Sequence, residues 1–237
     1  MSRTYNQDCI LAYALDLLGE RWTLLILREL FLGPRRFGDL HATLNGLGTN
    51  LLSKRLKELE EASLISSPEN DGHSEYRLTA TGEFLRPTIR SLMLWSIEYF
   101  MAREEPSPPR DCIYSDNLQP DSVALAIEIF GNHQPTEHAN YIAHLFIDEH
   151  SYSYFLMNGV LTAKRGTDAP AVAEIRTDVA TLMKGMRHEI TLQQIKERSK
   201  MSGDNSVLDH MFSFICMGGK TELEVQQLIE ADAAARR

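Results

Sequence analysis

Asn50, Ser53, Lys54 and Lys57 are separated by three, one and three residues, so they fall on one side of any helix that contains them. That side would carry an amide, a hydroxyl and two ammonium groups. Amides and hydroxyls can hydrogen-bond base edges in a DNA major groove, and ammonium groups can meet bases or phosphates. Arg55 lies on the flank of the same stretch, and Thr49 at its start is a candidate N-cap. Arg35 and Arg36 come shortly before it and would sit near a phosphate backbone. From Leu32 to Lys57 there are five cationic residues and one acidic residue, Asp39, in a chain of net charge −9. Positive charge is therefore gathered where phosphates would lie.

Elements must hold these groups outward. At about 100° per residue, Leu52, Leu56 and Leu59 share the side opposite Asn50, Ser53, Lys54 and Lys57, so residues 49–62 read as a helix that packs on its leucines. Before it, Ile10, Ala14, Leu17 and Leu18 form an apolar stripe ended by Gly19. A second, largely apolar helix follows in "ERWTLLILRELFL" and stops at Gly33-Pro34. A short third helix spans 36–43, packing Phe37, Leu40 and Leu44, and "NGLG" makes the turn. Residues 64–79 read as a hairpin, with Tyr76 and Leu78 alternating against Glu75 and Arg77 and with His73 near its tip, where it can approach the backbone or minor groove. Thr79 or Thr81 then caps one long helix to about residue 102, with Leu85, Ile89, Leu92, Trp95 and Tyr99 along one side.

Three short helices, a hairpin and a further helix make the pattern of a winged helix-turn-helix, whose last helix before the hairpin enters the major groove. A helix with two lysines and an arginine is often only a solvated face. The turn, the hairpin and the paired arginines together favour DNA. The stretches "GERWTLLILRELFLGPRRFGDL", "LLSKRLKELEEASLI" and "YRLTATG", with twelve residues between Cys9 and Trp22, resemble the HxlR-type winged helix-turn-helix transcriptional regulators of bacteria over residues 9–100. The resemblance implies a homodimer on a palindromic operator of double-stranded DNA. The Trp95 and Tyr99 stripe together with the first helix would suit the dimer seam. The same stripe could equally pack on its own domain or the next. One departure is Ser63, where the family usually has glycine; serine lacks glycine's freedom in a left-handed helix exit. In some members a cysteine at the position of Cys9 senses oxidants or electrophiles. Asp8 beside it opposes a lowered thiol pKa, and a buried, inert cysteine is the simpler reading.

The three prolines of "REEPSPPRD" interrupt the chain and favour an extended spacer, giving domains at 1–104 and 111–237. Of the net charge, −2 falls on residues 1–104 and −7 on the rest. The second part reads as a helix in "PDSVALAIEIFGN", successive strands through "NYIAHLFIDEHSYSYFLMNGVLTAKRG" with a turn at Asn158-Gly159, a strand in "AVAEIRTD", two helices, a short strand, an apolar helix and a helical tail. That is an α+β layer, a sheet covered by helices. The run "EIRTDVATLMKGM" to "SVLDHMF" is similar to the sterol-carrier-protein-like fold over about residues 125–217. The similarity implies an apolar pocket for a hydrophobic small molecule, which Met183, Met186, Met211, Phe212 and Phe214 would suit. Ordinary core packing explains the same residues.

His133, His138, His144 and His150 follow neither helical nor strand spacing, so no metal site is expected. No nucleophile-elbow, Walker or dinucleotide-binding glycine motif occurs, so no catalytic residue and no cofactor are expected. Cys9, Cys112 and Cys216 make no disulfide framework. No apolar run reaches the roughly 20 residues of a membrane span, and the N-terminus has no secretory signal, which points to the cytoplasm. The expected fold is therefore α+β: a winged helix-turn-helix domain followed by an α+β, sterol-carrier-like ligand-binding domain. The expected function is a sequence-specific DNA-binding regulator, a repressor, responsive to a small apolar ligand. The alternatives are a redox-sensing regulator using Cys9, or a small-molecule binding protein without DNA activity.

Overall fold

The computed structural model describes residues 4–67, 69–70, 73–101, 118–132, 139–186 and 189–215, with the backbone alone for 69–70, 73–74, 97–98 and 100–101. The linker 103–111, Cys112, His133, His138, Cys216 and the helical tail lie outside the described residues. The chain divides into two compact units, Met1–Ser96 and Ile97–Arg237.

The first unit begins with α1 (Ile10–Leu18) and α2 (Thr23–Phe31). Gly33, at φ +122°, turns the chain out of α2 ahead of Pro34. Then come β1 (Arg35–Arg36), α3 (Phe37–Thr43), α4 (Thr49–Glu61), β2 (Ile65–Ser66), β3 (Glu69–Asn70) and β4 (His73–Leu78). The hairpin is present, with Ile65 opposite Leu78 and Asn70 opposite His73. Arg35 and Arg36 also form a strand: they pair with Tyr76 and Glu75, so β4 is flanked by β1 and β2. Ile26, Leu27, Leu30, Leu40, Leu52, Leu56, Leu59 and Ile65 make the core.

Two local expectations are corrected. Gly48, not Thr49, takes the extended N-cap backbone of α4 (φ −71°, ψ 149°), and Thr49 is the first helical residue. The single long helix is two: α5 (Ala80–Glu83), capped by the Thr79 hydroxyl accepting from Gly82 N–H at 3.1 Å, and α6 (Arg86–Met101). Pro87 has no N–H to give to the carbonyl of Glu83, so one continuous ladder cannot cross this point. Gly82 is required by crowding, since a Cβ there would lie 2.1 Å from Leu64 O. In α1 only Ala12 is buried, while Ile10 is 92% and Tyr13 69% exposed.

The exit of α4 forms despite Ser63. The residue stands at φ +57°, Ser63 N–H donates to Glu60 O at 2.9 Å, and Leu64 N–H donates back to Leu59 O at 3.0 Å. These are the two bonds of a Schellman motif, with serine holding the left-handed position.

The second unit runs α7 (Pro120–Gly131), β5 (Tyr141–Ile147), β6 (His150–Met157), β7 (Val160–Arg165), β8 (Ala173–Thr177), α8 (Val179–Met186), α9 (Leu192–Arg198), β9 (Lys200–Gly203) and α10 (Asn205–Ile215). The sheet order is β7-β6-β5-β8-β9, with β5 and β8 parallel and the other pairs antiparallel. Asn158 and Gly159, both at positive φ, turn β6 into β7. On one face, Ala143, Leu145, Tyr152, Tyr154, Leu156, Leu161, Ala163 and Ile175 alternate inward and are buried, with α7 and α10 packed on them. Tyr152 donates to Asp121 at 2.7 Å and Tyr154 to Ala124 O at 2.9 Å, which satisfies both buried hydroxyls. Burial, with the Glu128 charge second, raises the Tyr154 pKa well above the ordinary phenol value. Met183, Met186, Met211, Phe212 and Phe214 are all buried.

Candidate nucleic-acid interface

Helix α4 presents its faces as its pattern requires. Leu52, Leu56 and Leu59 are buried, and Thr49, Asn50, Ser53, Lys54 and Lys57 are exposed. The Lys54 and Lys57 side chains are 59% and 78% exposed, and their ammonium groups lie 3.7 Å from Glu58 and 3.8 Å from Glu61. Exposed pairs of this kind hold about 0.3–0.5 kcal/mol, so a phosphate can displace either carboxylate. Gly48 has no side chain to cap the helix, and the N-cap of α4 makes no side-chain hydrogen bond. Such an end favours an anion through its free N–H groups and the helix dipole.

Arg55 is different. Its side chain is 8% exposed and bonded through Nη2 to Glu20 at 2.6 Å and through Nη1 to Glu58. It therefore does not share the exposed face of Asn50 and Lys54. The reason is angular: 55 lies one residue from Leu56 and three from Leu52, on the edge that turns toward the protein. Arg35 is also turned inward, 3.9 Å from the buried carboxylate of Glu29. Arg36 is exposed, with Nε 3.4 Å from Glu75, and its backbone N–H donates to Asp39 at 3.3 Å to open α3. Two of the five cations counted in the local sequence thus serve the fold. The backbone of His73 begins β4 at the hairpin, and its side chain lies outside the described residues.

Sequence reasoning passed over Arg77. It lies in β4 with its side chain exposed, and it makes no ion pair among the described residues. Its alternation with Tyr76 and Leu78 was the available signal. It also misjudged Cys9, which is exposed at the N-cap of α1 rather than buried. The segment before it folds back on α1 through Asp16, which accepts from the Thr4 hydroxyl at 2.9 Å and from Tyr5 N–H at 2.8 Å. A recess of about 410 Å3, lined by these residues with Leu15, Gly19 and Glu20, lies beside this contact.

The model of the HxlR-like helix-turn-helix family matches residues 17–104. The uncharacterized HTH-type transcriptional regulator YvaP of Bacillus subtilis is 37% identical over 89 residues, which cover 36% of this chain and 82% of that protein. The chain belongs to the HxlR-like helix-turn-helix family. Another HTH-type relative, Rv3095 of Mycobacterium tuberculosis, is 48% identical over 97 residues, 39% of this chain and 60% of that protein. The HxlR-like chain therefore matches about three-fifths of the length of this mycobacterial relative. Among solved structures, quinone-bound YodB from B. subtilis aligns at 31% identity over 37% of the HxlR-like chain and 96% of its own, with a TM-score of 0.34. The matched family segment contains α2 to α6 of the HxlR-like chain, including the whole exposed face of α4.

Proposed function

We propose that the protein is a transcriptional regulator that binds operator DNA through α4 and the hairpin. The observation that carries this reading is the outward face of α4: Asn50, Ser53, Lys54 and Lys57 are exposed because Leu52, Leu56 and Leu59 are buried beneath them. Asn50 and Ser53 read base edges; Lys54, Lys57, Arg36 and Arg77 meet phosphates, and Thr49 lies at the helix end nearest the backbone. His73 remains a candidate at the hairpin tip. The working form is a homodimer, supported by the exposure of Ile10, Leu11, Tyr13 and Leu17 on α1 and of Leu92, Trp95 and Tyr99 on α6. No helix among the described residues is long and apolar enough to cross a membrane, and the protein works in the cytoplasm beside the DNA.

The second unit, in this reading, is a sterol-carrier-like domain for a small apolar ligand. Its mixed sheet with helices over one face suits such a fold, and the flexible methionines Met183, Met186 and Met211 can repack around a guest. Ligand changes the spacing of the two recognition helices, and repression is relieved. The test is a mobility shift with the DNA upstream of the protein's own gene at several salt concentrations. Binding must weaken steeply with salt, and a chain that ignores duplexes at low ionic strength sinks the assignment. Mass spectrometry of the purified protein for a co-purifying lipophile tests the ligand.

A second reading, thiol-based redox sensing, is favoured by the exposure of Cys9. Cys9→Ser separates the two: a retained response to inducer removes the thiol from the mechanism.

A further inference from the structure

The corner between α1 and α2 grips the DNA-facing helix and the turn before it. Glu20 accepts from Arg55 Nη2 at 2.6 Å, across 35 residues of sequence. Trp22, held at φ +81°, carries its ring to the turn that precedes α4, where a Cβ on Gly46 would lie 3.8 Å from the ring's far edge. Arg55 is bonded a second time within its own helix, to Glu58. The other oxygen of Glu58 lies 3.7 Å from Lys54 Nζ. The four side chains form one line of alternating charge, Glu20–Arg55–Glu58–Lys54, which starts at the corner and ends on the exposed face.

The two carboxylates on Arg55 do different things. Glu58 neutralises the guanidinium but cannot orient α4, because it turns with the helix. Glu20 belongs to another segment of the chain, so of the two carboxylates only Glu20 opposes rotation of α4 about its axis. With a helix radius of roughly 5–6 Å including side chains, a rotation of about 20° moves the surface by roughly 2 Å. That is enough to lose a hydrogen bond to a base edge while a flexible lysine still follows its phosphate. We propose that Glu20 is a positioning residue for DNA reading, setting the rotation of α4 through Arg55. This rests on the reading of α4 as the DNA-contacting helix. The coupling is reciprocal: base-edge contacts by Asn50 and Ser53 and the Glu20–Arg55 bond each favour the same rotation of α4, so each strengthens the other by the same factor.

The test uses the full chain and two substitutions, Glu20→Ala and Arg55→Met. Glu20→Ala should stay folded, since Arg55 retains Glu58, and should bind the preferred duplex roughly tenfold more weakly. Its affinity for random-sequence duplex and its salt slope should not change. The double substitution should lose no more preference than Arg55→Met alone. Equal loss on both duplexes, or no loss on either, overturns the proposal, because a merely structural residue lowers only the folded fraction. Hydrogen exchange without DNA gives a readout independent of the function. Amides of α4 should exchange faster in Glu20→Ala while those of α2 do not, and identical exchange in α4 overturns the tie. A wild-type chain that binds no duplex would remove the DNA-reading assignment and with it the DNA half of the proposal. The exchange comparison would still decide whether Glu20 holds α4.

Discussion

In α4 the leucines at 52, 56 and 59 are buried, and in α1 Ile10, Leu11, Tyr13 and Leu17 are exposed. Both stretches show apolar residues at helical spacing, and the spacing alone predicts a packed face for each. The difference is in what their own unit offers them. Helix α4 lies between the turn after α3 and the strand pair of the hairpin, and its leucines are buried, as Ile26, Leu30 and Ile65 of the same unit are. Helix α1 is apolar nearly all the way round, and its own unit buries only Ala12. Amphipathic spacing therefore says that a face needs covering; it does not say whether the same chain supplies the cover.

The largest effect that tests this contrast is a truncation on each helix. Leu56, at 1% exposure, leaves a cavity when shortened, so Leu56→Ala should cost about 2–5 kcal/mol of unfolding free energy in denaturant titration. Ile10→Ala should cost almost nothing in the same titration at protein concentrations where the chain is monomeric. A similar loss from both would mean that α1 is packed as firmly as α4. Next in size is Leu11→Glu. Burying one leucine at an interface contributes about 1.5–3 kcal/mol, so dimerisation should weaken roughly ten- to hundredfold in sedimentation equilibrium, with the circular dichroism spectrum unchanged. An unchanged association constant would remove α1 from the dimer seam.

A third comparison lies within α4 itself, between neighbours 54 and 55. Lys54→Ala should leave the melting temperature nearly unchanged, since its exposed pair with Glu58 contributes little. It should lower the slope of log affinity against log salt by about one, for every duplex alike. Arg55→Ala, by contrast, should act first on stability, because it strips the buried partner from Glu20 and Glu58. A salt slope altered by Arg55→Ala with the melting temperature intact would reverse the assignment of the two faces.

Much of the first unit is legible from its residues because short-range signals coincide there. Gly33-Pro34, the double-glycine turn, the leucine spacing and the Thr79 cap each fix a boundary by local chemistry. What is not legible depends on long-range pairing. Nothing near Arg35 and Arg36 announces a strand, because its partner, β4, lies some 39 residues on. Nothing near Arg55 announces Glu20. The site is thus half legible: the exposed donors of α4 follow from angle alone, while the inward turn of Arg35 and Arg55 depends on carboxylates that come from other elements. In the second unit, the turn residues and alternation locate the strands, but the parallel pairing of β5 with β8 is a property of the whole sheet. There, His210 faces Tyr141 at 3.2 Å and burial depresses its imidazole pKa.

The smallest expected effect concerns the exit of α4, where an unfavourable residue sits in a well-formed motif. Ser63 at φ +57° carries a Cβ in the left-handed region, a cost of about 1–2 kcal/mol for residues other than glycine. Both Schellman bonds form nonetheless, because Leu64 continues into β2 and the Thr79 hydroxyl donates to Ser63 O at 2.6 Å from the far side. Ser63→Gly relieves the strain in the folded state and adds freedom to the unfolded chain, which returns about 0.4–1 kcal/mol of the gain. The net expectation is a stabilisation of roughly 0.5–1 kcal/mol in denaturant titration, with the DNA salt slope unchanged. Ser63→Val makes the opposite arm: a β-branched side chain tolerates the left-handed region least, so the exit should loosen and the hairpin with it. Equal stability of the three forms would mean that the hairpin contacts, not the backbone at 63, decide where α4 ends.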